Sequence, residues 1–293
     1  MKSADMVRLL ALSAIWGASF LFMRIIAPVL GALPTAFFRV FFAATGLVII
    51  LIVMRTRWDF KGKLGAVMTL GLINSGIPFV MYSIAAQILP AGYSAIFNAT
   101  TPLMGILIGA LFFAEKITPA KATGVILGIS GVVVLTRTGP VEMSANVLMG
   151  AGACLVATAC YGLAGFLTKR WISEKGGLDS KLVALGSQIG ATVLLLPLFA
   201  YTTNAHPVAS WGGSGLWLAM AGLGLICTAF AYILYFQLIA NIGPVKSLMV
   251  TFLIPPFGVL WGAIFLGEQI GWAHAVGGAL IGMAVWVVLK PTK

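Results

Sequence analysis

Residues 71–135 recur as residues 224–288 at a fixed offset of 153, without a gap. Gly71-Leu72-Ile73 falls on Gly224-Leu225-Ile226, Tyr82 on Tyr235, Ser94 on Ser247 and Pro102 on Pro255. Gly105, Gly109, Phe112, Glu115 and Gly124 fall on Gly258, Gly262, Phe265, Glu268 and Gly277. A chain with such a duplication builds two similar units. Both copies are also apolar enough to lie in a bilayer. Only 9% of the residues are charged and the mean hydropathy is +1.07, whereas a soluble domain carries about 25% charged residues. A duplicated apolar unit with an odd number of spans sets its copies upside down relative to each other. That arrangement puts a site between the halves, near the bilayer midplane, as in secondary transporters.

About 20 consecutive apolar residues make a membrane-spanning helix. Such windows occur at 7–27, 33–54, 64–84, 91–113, 119–136, 147–168, 182–202, 215–236, 244–266 and 271–289. The junctions are short and most carry Pro or Gly, among them Pro28, Pro34, Pro90, Pro119, Gly139-Pro140, Pro207, Gly243-Pro244 and Gly271. The expected fold is an all-α integral membrane protein of ten transmembrane helices, in two inverted five-helix repeats over residues 1–140 and 141–293. Spans one and six are weaker mates, with Trp16-Gly17 on Tyr161-Gly162 and Arg24 on Lys169, and spans two and seven share little. The first apolar run, Leu9 to Ile26, is long enough to span and has no small-residue cleavage site close behind it. It is expected to stay as an uncleaved first span. Cys154, Cys160 and Cys227 lie inside spans and read as small packing residues.

Lys and Arg set the orientation, because cytoplasmic loops hold the excess of them. With the N-terminus inside, 15 of the 18 fall in inner segments: Lys2, Arg8, Arg55, Arg57, Lys61, Lys63, Lys116, Lys121, Lys169, Arg170, Lys175, Lys181, Lys246, Lys290 and Lys293. Arg137 lies in an outer loop, and Arg24 and Arg39 lie within spans near the outer side. Both termini are therefore expected in the cytoplasm. The loop after span two holds four basic residues and its mate, 203–214, none, as inverted halves require. The net charge of +11 is spread over span ends and not gathered in a patch. That argues for a lipid bilayer as partner and against nucleic acid.

What is missing narrows the chemistry. The seven acidic residues, Asp5, Asp59, Glu115, Glu142, Glu174, Asp179 and Glu268, all avoid mid-span. Proton- and sodium-coupled carriers usually bury a carboxylate there, so direct coupling at the midplane has no support. The buried aspartate pair of an intramembrane protease is absent, and no Ser and His are placed as nucleophile and base. His206 and His274 have no cluster around them to make a metal site. No catalytic residue, metal or cofactor is expected, and the chain does not read as an enzyme.

Polar and aromatic residues inside the spans carry what chemistry there is. On span one Trp16, Ser19, Phe20 and Met23 share a face at helical spacing. Asn74, Pro78 and Tyr82 form a stripe on span three, and Asn98, Thr101, Gly105 and Gly109 on span four. Thr228, Tyr232 and Tyr235 do so on span eight, and Ser247, Thr251 and Pro255 on span nine. Mates converge: Ser75 on Thr228, Phe79 on Tyr232, Tyr82 on Tyr235 and Asn98 on Thr251. Such faces turn inward, either to hydrogen-bond between helices or to line a cavity. As a cavity they offer neutral hydrogen bonds and aromatic surface without a fixed countercharge, which suits an amphipathic or zwitterionic solute. Pro102 and Pro255-Pro256 interrupt the backbone ladder mid-span, as hinges or as plain kinks. The pairs Gly105 and Gly109, Gly258 and Gly262, Gly124 and Gly128, and Gly278 and Gly282 mark close-packing faces, within a monomer or across a homodimer seam. Arg39 either snorkels to the outer surface, pairs with Glu268 as an outer gate, or meets a substrate carboxylate. Glu115 is the mate of Glu268 at the opposite end.

Trp16-Gly17-x-x-Phe20, Pro34 through Phe38-Arg39, Ala95 with Thr101-Pro102, and Phe112-Phe113-x-Glu115 follow one another in the first half. Pro244, Ile254-Pro255-Pro256 and Phe265-Leu266-Gly267-Glu268 echo them in the second. In that order, within duplicated five-span units, they resemble the EamA family of the drug/metabolite transporter superfamily over the whole chain. The resemblance implies a multi-pass carrier of small metabolites in the bacterial cytoplasmic (inner) membrane, often an exporter of amino acids or related compounds. It also implies a central cavity lined by spans one, three, four, six, eight and nine, on which Trp16, Ser19, Phe20, Asn74, Tyr82, Asn98, Thr101, Tyr161, Thr228, Tyr232, Tyr235 and Thr251 lie. Span seven carries Ser187 and Gln188 where span two has Arg39, so no symmetric role for the arginine is expected. The function expected is alternating-access transport of a small-molecule substrate. Its rivals are a nucleotide or nucleotide-sugar antiporter, which would want Lys or Arg at the midplane, and a membrane-embedded enzyme.

Overall fold

The computed structural model describes residues 2–138, 142–243, 247 and 249–289, and every regular element among them is helical. α1 (Ser3–Leu30) turns into α2 (Ala32–Val53) through Gly31 alone. Gly31 holds φ at 90°, which a residue with a side chain rarely adopts, so this hairpin needs glycine. α3 (Leu64–Gly71) runs through a π turn, Leu72–Gly76, into α4 (Ile77–Ile88). α5 (Ala91–Asn98) and α6 (Thr101–Phe112) form one apolar stretch bent by 44°. α7 (Pro119–Thr138), α8 (Ala145–Trp171) and α9 (Ser180–Ala205) follow. α10 (Ser214–Ala221) continues through a longer π segment, Gly222–Phe230, into α11 (Ala231–Ile242). α12 (Val250–Leu266) and α13 (Trp272–Leu289) are the last described helices.

Among the described residues seven stretches are long and apolar enough to cross a membrane: α1, α2, α3–α4, α7, α8, α9 and α10–α11. The bent pair α5–α6 raises this to eight, while α12 and α13 are apolar but shorter. The ten windows of the sequence are therefore unequal. The fourth is broken at its centre, and the start of the ninth, Pro244 to Lys246, lies outside the described residues. Gly139-Pro140, the expected unit boundary at 140/141, Lys290 and Lys293 also lie outside them.

Contacts at the helix ends distinguish two faces of the bundle. On one, Asp5 Oδ1 accepts from Asn241 Nδ2 at 2.8 Å and from Arg8 at 2.9 Å, joining the start of α1 to the end of α11. Lys63 Nζ donates to Gly177 O at 3.0 Å on the same face, which also carries the basic 54–63 segment. On the far face Arg24 Nη1 donates to Ala86 O at 2.7 Å and Gln87 Nε2 to Ala27 O at 3.0 Å. These two bonds stitch the ends of α1 and α4, and they give Arg24 a carbonyl partner inside the protein.

Small residues let the helices approach closely. A Cβ on Gly17 would sit 2.8 Å from Phe257 Cβ, so α1 and α12 touch nearly backbone to backbone, and Trp261 Nε1 seals the pair by donating to Ala14 O at 2.9 Å. α7 and α13 pack through Gly131 and Gly277, away from the centre. Gly124 belongs to that seam and Gly128 lies between Leu103 of α6 and Ala284 of α13, but a Cβ on Gly282 would meet nothing within 4 Å. The α13 side of the seam is therefore Gly277, one residue from the expected pair. Large apolar side chains such as Leu111, Phe112 and Leu218 are more than two-thirds exposed on the outer surface, as a lipid-facing bundle requires.

Candidate functional site

The helices surround a central cavity of about 260 Å³. α1 contributes Trp16, Ser19, Phe20 and Met23, and α2 contributes Arg39. The π turn after α3 brings Asn74, and α4 brings Phe79 and Tyr82. Asn98 and Thr101 enter at the α5–α6 bend, Tyr161 from α8, Tyr232 and Tyr235 from α11, and Thr251 and Ile254 from α12. Every lining residue expected from the sequence faces this one cavity except Thr228, which is buried behind it against Arg39. Phe79 and Ile254 complete the wall. Their repeat mates, Tyr232 and Thr101, could have pointed to them.

Two aromatic pairs stand on the cavity wall one turn of α1 apart. Trp16 and Tyr235 meet at 5.2 Å on the side of the basic face. Phe20 and Tyr82 meet edge to face at 5.3 Å toward the far face. Tyr82 Oη donates to Asn98 Oδ1 at 3.0 Å, which ties α4 to α5. The bend beside Asn98 frees backbone carbonyls that a continuous helix would use. Threonine hydroxyls bond here: Thr101 Oγ1 donates to Asn98 O at 2.7 Å, the carbonyl that Pro102 leaves without an amide, and Thr100 Oγ1 adds to Phe97 O at 2.8 Å beside the Thr100 amide at 2.9 Å. Pro102, second residue of α6, lacks the amide that would continue the α5 ladder, so the bend falls where that proline requires it. Pro255 and Pro256 sit inside α12 without breaking it.

The two π segments fall at equivalent repeat positions, Leu72–Gly76 and Gly222–Phe230. Here the ladder slips by one residue and carbonyls lose their usual amides. Thr228 Oγ1 meets one of them, donating to Leu223 O at 2.9 Å. The same hydroxyl accepts from Arg39 Nε at 3.2 Å. Its mate Ser75 accepts from Gln188 Nε2 at 2.8 Å. Arg39 on α2 and Gln188 on α9 thus do corresponding jobs, one charged and one neutral.

Arg39 is 6% exposed and does not snorkel. Its Nη1 donates to Met23 Sδ at 3.3 Å, and its guanidinium carbon lies 3.6 Å above the Phe79 ring. Nor is the alternative pair with Glu268 formed. Glu268 lies past the end of α12 on the far face, where its Oε1 accepts from Ala91 N at 2.7 Å and its Oε2 from Gly92 N at 3.3 Å. The free amides and positive dipole end at the start of α5 are nearer partners for a carboxylate there than an arginine deep in the bundle. Glu115 shares the local turn, with its amide donating to Gly109 O as that of Glu268 does to Gly262 O. Its side chain, however, takes Lys121 at 3.2 Å. The cavity therefore differs from the neutral surface read from the sequence: it contains a guanidinium. Among the described residues no group of His, Cys, Asp and Glu is arranged to hold a metal ion.

The sequence model of the EamA-like transporter family matches residues 6–137 and 148–290. The chain is 23% identical over 278 residues to the uncharacterized transporter YoaV of Bacillus subtilis, covering 94% of this chain and 93% of that protein. It is 28% identical over 191 residues to a "Probable terminal-alkyne amino-acid exporter" of Streptantibioticus cattleyicolor, covering 65% of this chain and 61% of that one. A solved crystal structure aligns over 98% of this chain and 97% of its own with a TM-score of 0.64 at 18% identity, a likeness of fold. Two family matches spanning most of the chain, laid over a helical bundle with a polar cavity at its centre, place this chain in the EamA-like transporter family.

Proposed function

We propose that this chain is a secondary transporter, in the simplest case an exporter, of small organic metabolites such as amino acids or related amphipathic compounds. It works by alternating access between two inverted five-helix units, residues 1–140 and 141–293, in a bacterial inner membrane with both termini in the cytoplasm. One observation carries the reading. The cavity wall contains four repeat-mate pairs: Phe79 with Tyr232, Tyr82 with Tyr235, Asn98 with Thr251, and Thr101 with Ile254. A site to which both related units contribute matching positions is what lets each unit open or close it in turn. On the far face α5 packs on α12 and Glu268 clips the two together. Past the bend α6 leans instead on α8, α7 and α13. We read this as the state closed at the far face and open toward the basic one.

Size and charge favour a small solute over a nucleotide sugar. The cavity, at about 260 Å³, falls just below the roughly 300–1,000 Å³ of ligand clefts. Arg39 is the one Lys or Arg in its described lining, too little charge for a diphosphate. The relative named for amino-acid export supports the solute class. The test is counterflow in proteoliposomes, with radiolabelled amino acids and a nucleotide sugar offered in parallel. Saturable, protein-dependent exchange of an amino acid or an amphipathic relative is expected. Exchange of the nucleotide sugar alone would favour the rival antiporter, and no exchange of any solute would remove transport of this class.

A further inference from the structure

Among the described residues Arg39 is a buried cation without an anion. Of its five N–H groups, two have acceptors among the described residues, Thr228 Oγ1 and the Met23 thioether, and sulfur is a weak acceptor. None of the acidic residues reaches it. Asp5 is held by Arg8 and Asn241, Glu115 by Lys121, Asp179 by Lys181, and Glu268 by the α5 amides. Asp59, Glu142 and Glu174 are exposed. A charge left like this in a bilayer-embedded bundle is costly unless something neutralises it. The Phe79 ring shields one face of the guanidinium and the Thr228 bond fixes its plane, so the remaining donors have a defined direction. Arg39 itself lines the cavity.

We infer that Arg39 is the recognition group for a carboxylate on the transported solute, and that the site takes amphipathic monocarboxylates. This rests on the transport reading above and deepens it. A guanidinium offers paired N–H donors matched to the two oxygens of a carboxylate. The count of one follows from the corresponding position on α9, where Gln188 binds Ser75 and adds no charge. The rest of the wall suits an apolar or aromatic body, with Trp16, Phe20 and Tyr161 around it. An α-ammonium is tolerated but not demanded: Asn74, Asn98 and the tyrosine hydroxyls can accept from it, and no carboxylate in the described lining calls for it. The Met23 contact is weak enough to be given up to a ligand.

The test is equilibrium binding to the purified full chain, which needs no flux. The probes are 3-phenylpropionate, L-phenylalanine, L-phenylalaninamide and phenethylamine, four bodies of one size differing in the head group. Wild-type protein should bind the two carboxylates about tenfold or more tighter than the two probes without one. Arg39→Gln should bring all four within a factor of about two, and Arg39→Lys should keep part of the preference. Monodisperse elution checks that each variant is folded, and the wild-type comparison stands even if neither variant folds. Equal binding of carboxylate and amide by the wild type, no binding of any probe, or an unchanged preference in folded Arg39→Gln would each overturn the inference. Counterflow of the same probes separates the two readings. A carboxylate preference without exchange sinks transport and keeps the anion site, whereas exchange without the preference does the reverse.

Discussion

At the scale of single residues, the interior polar groups are nearly all spoken for, and this makes their pairs measurable. Insertion scales put an arginine at mid-membrane at about 2.5–3.5 kcal/mol, and Arg39 recovers only part of that from Thr228 and the Phe79 face. The Tyr82–Asn98 bond is neutral and better matched. Asn98→Ala would strand the Tyr82 hydroxyl, which belongs to a fully buried side chain, at a cost of about 1–3 kcal/mol. Tyr82→Phe removes the hydroxyl cleanly and should cost less. The double change should cost less than the sum of the singles, because the second removes a partner already lost. Thermal unfolding in detergent reads the stability term and counterflow the functional one. Additive shifts in both would mean that the bond contributes nothing to holding α4 against α5.

Among elements, the informative contact is the end of α12 on the start of α5. Glu268 satisfies two amides that α5 cannot satisfy itself, and it does so only while α12 lies against α5 at the far face. Glu268→Ala should therefore loosen that face, costing about 1–3 kcal/mol from the stranded amides. Glu268→Gln keeps an acceptor and loses the charge–dipole share, about 0.3–1 kcal/mol. The check is thiol labelling of Ala95→Cys, with Cys154, Cys160 and Cys227 replaced. Ala95 is buried where Gly258 of α12 meets it. Labelling from the far face should rise in the order wild type, Glu268→Gln, Glu268→Ala. Equal labelling in all three would reduce Glu268 to a local helix cap.

Over the whole molecule the prediction is topological. Asp59 and Ser210 are both exposed, one in the basic segment after α2 and the other in the uncharged segment after α9. These are equivalent loops of the two units, and inverted units put them on opposite sides of the membrane. An impermeant thiol reagent should label Ser210→Cys in intact cells and Asp59→Cys only after permeabilisation. Labelling of both from one side would remove the inverted arrangement and alternating access with it.

The sequence alone determined the duplication, the apolar surroundings and which side chains share a helical face. The 153-residue offset and the low charge are properties of the chain, and helical spacing assigns Trp16, Ser19 and Phe20, or Tyr232 and Tyr235, to one face without reference to anything else. In a bundle whose outside is lipid, a polar face has to turn inward, so the lining of the cavity was largely legible. Partners across helices were not. Nothing in the spacing of Arg39 says that Thr228, 189 residues away, sits beside it, or that Glu268 meets the amides of Ala91 and Gly92. Depth estimated from sequence counts residues from a span end, whereas the actual surroundings of a charge depend on which helix packs there. The π turns escaped for a similar reason: they shift the helical phase by one residue, a change that tertiary packing imposes and local propensity does not encode. Only the folded bundle decided that the cavity contains a cation with no anion among the described residues around it, because that depends on where the acidic residues end up as much as on where the arginine does.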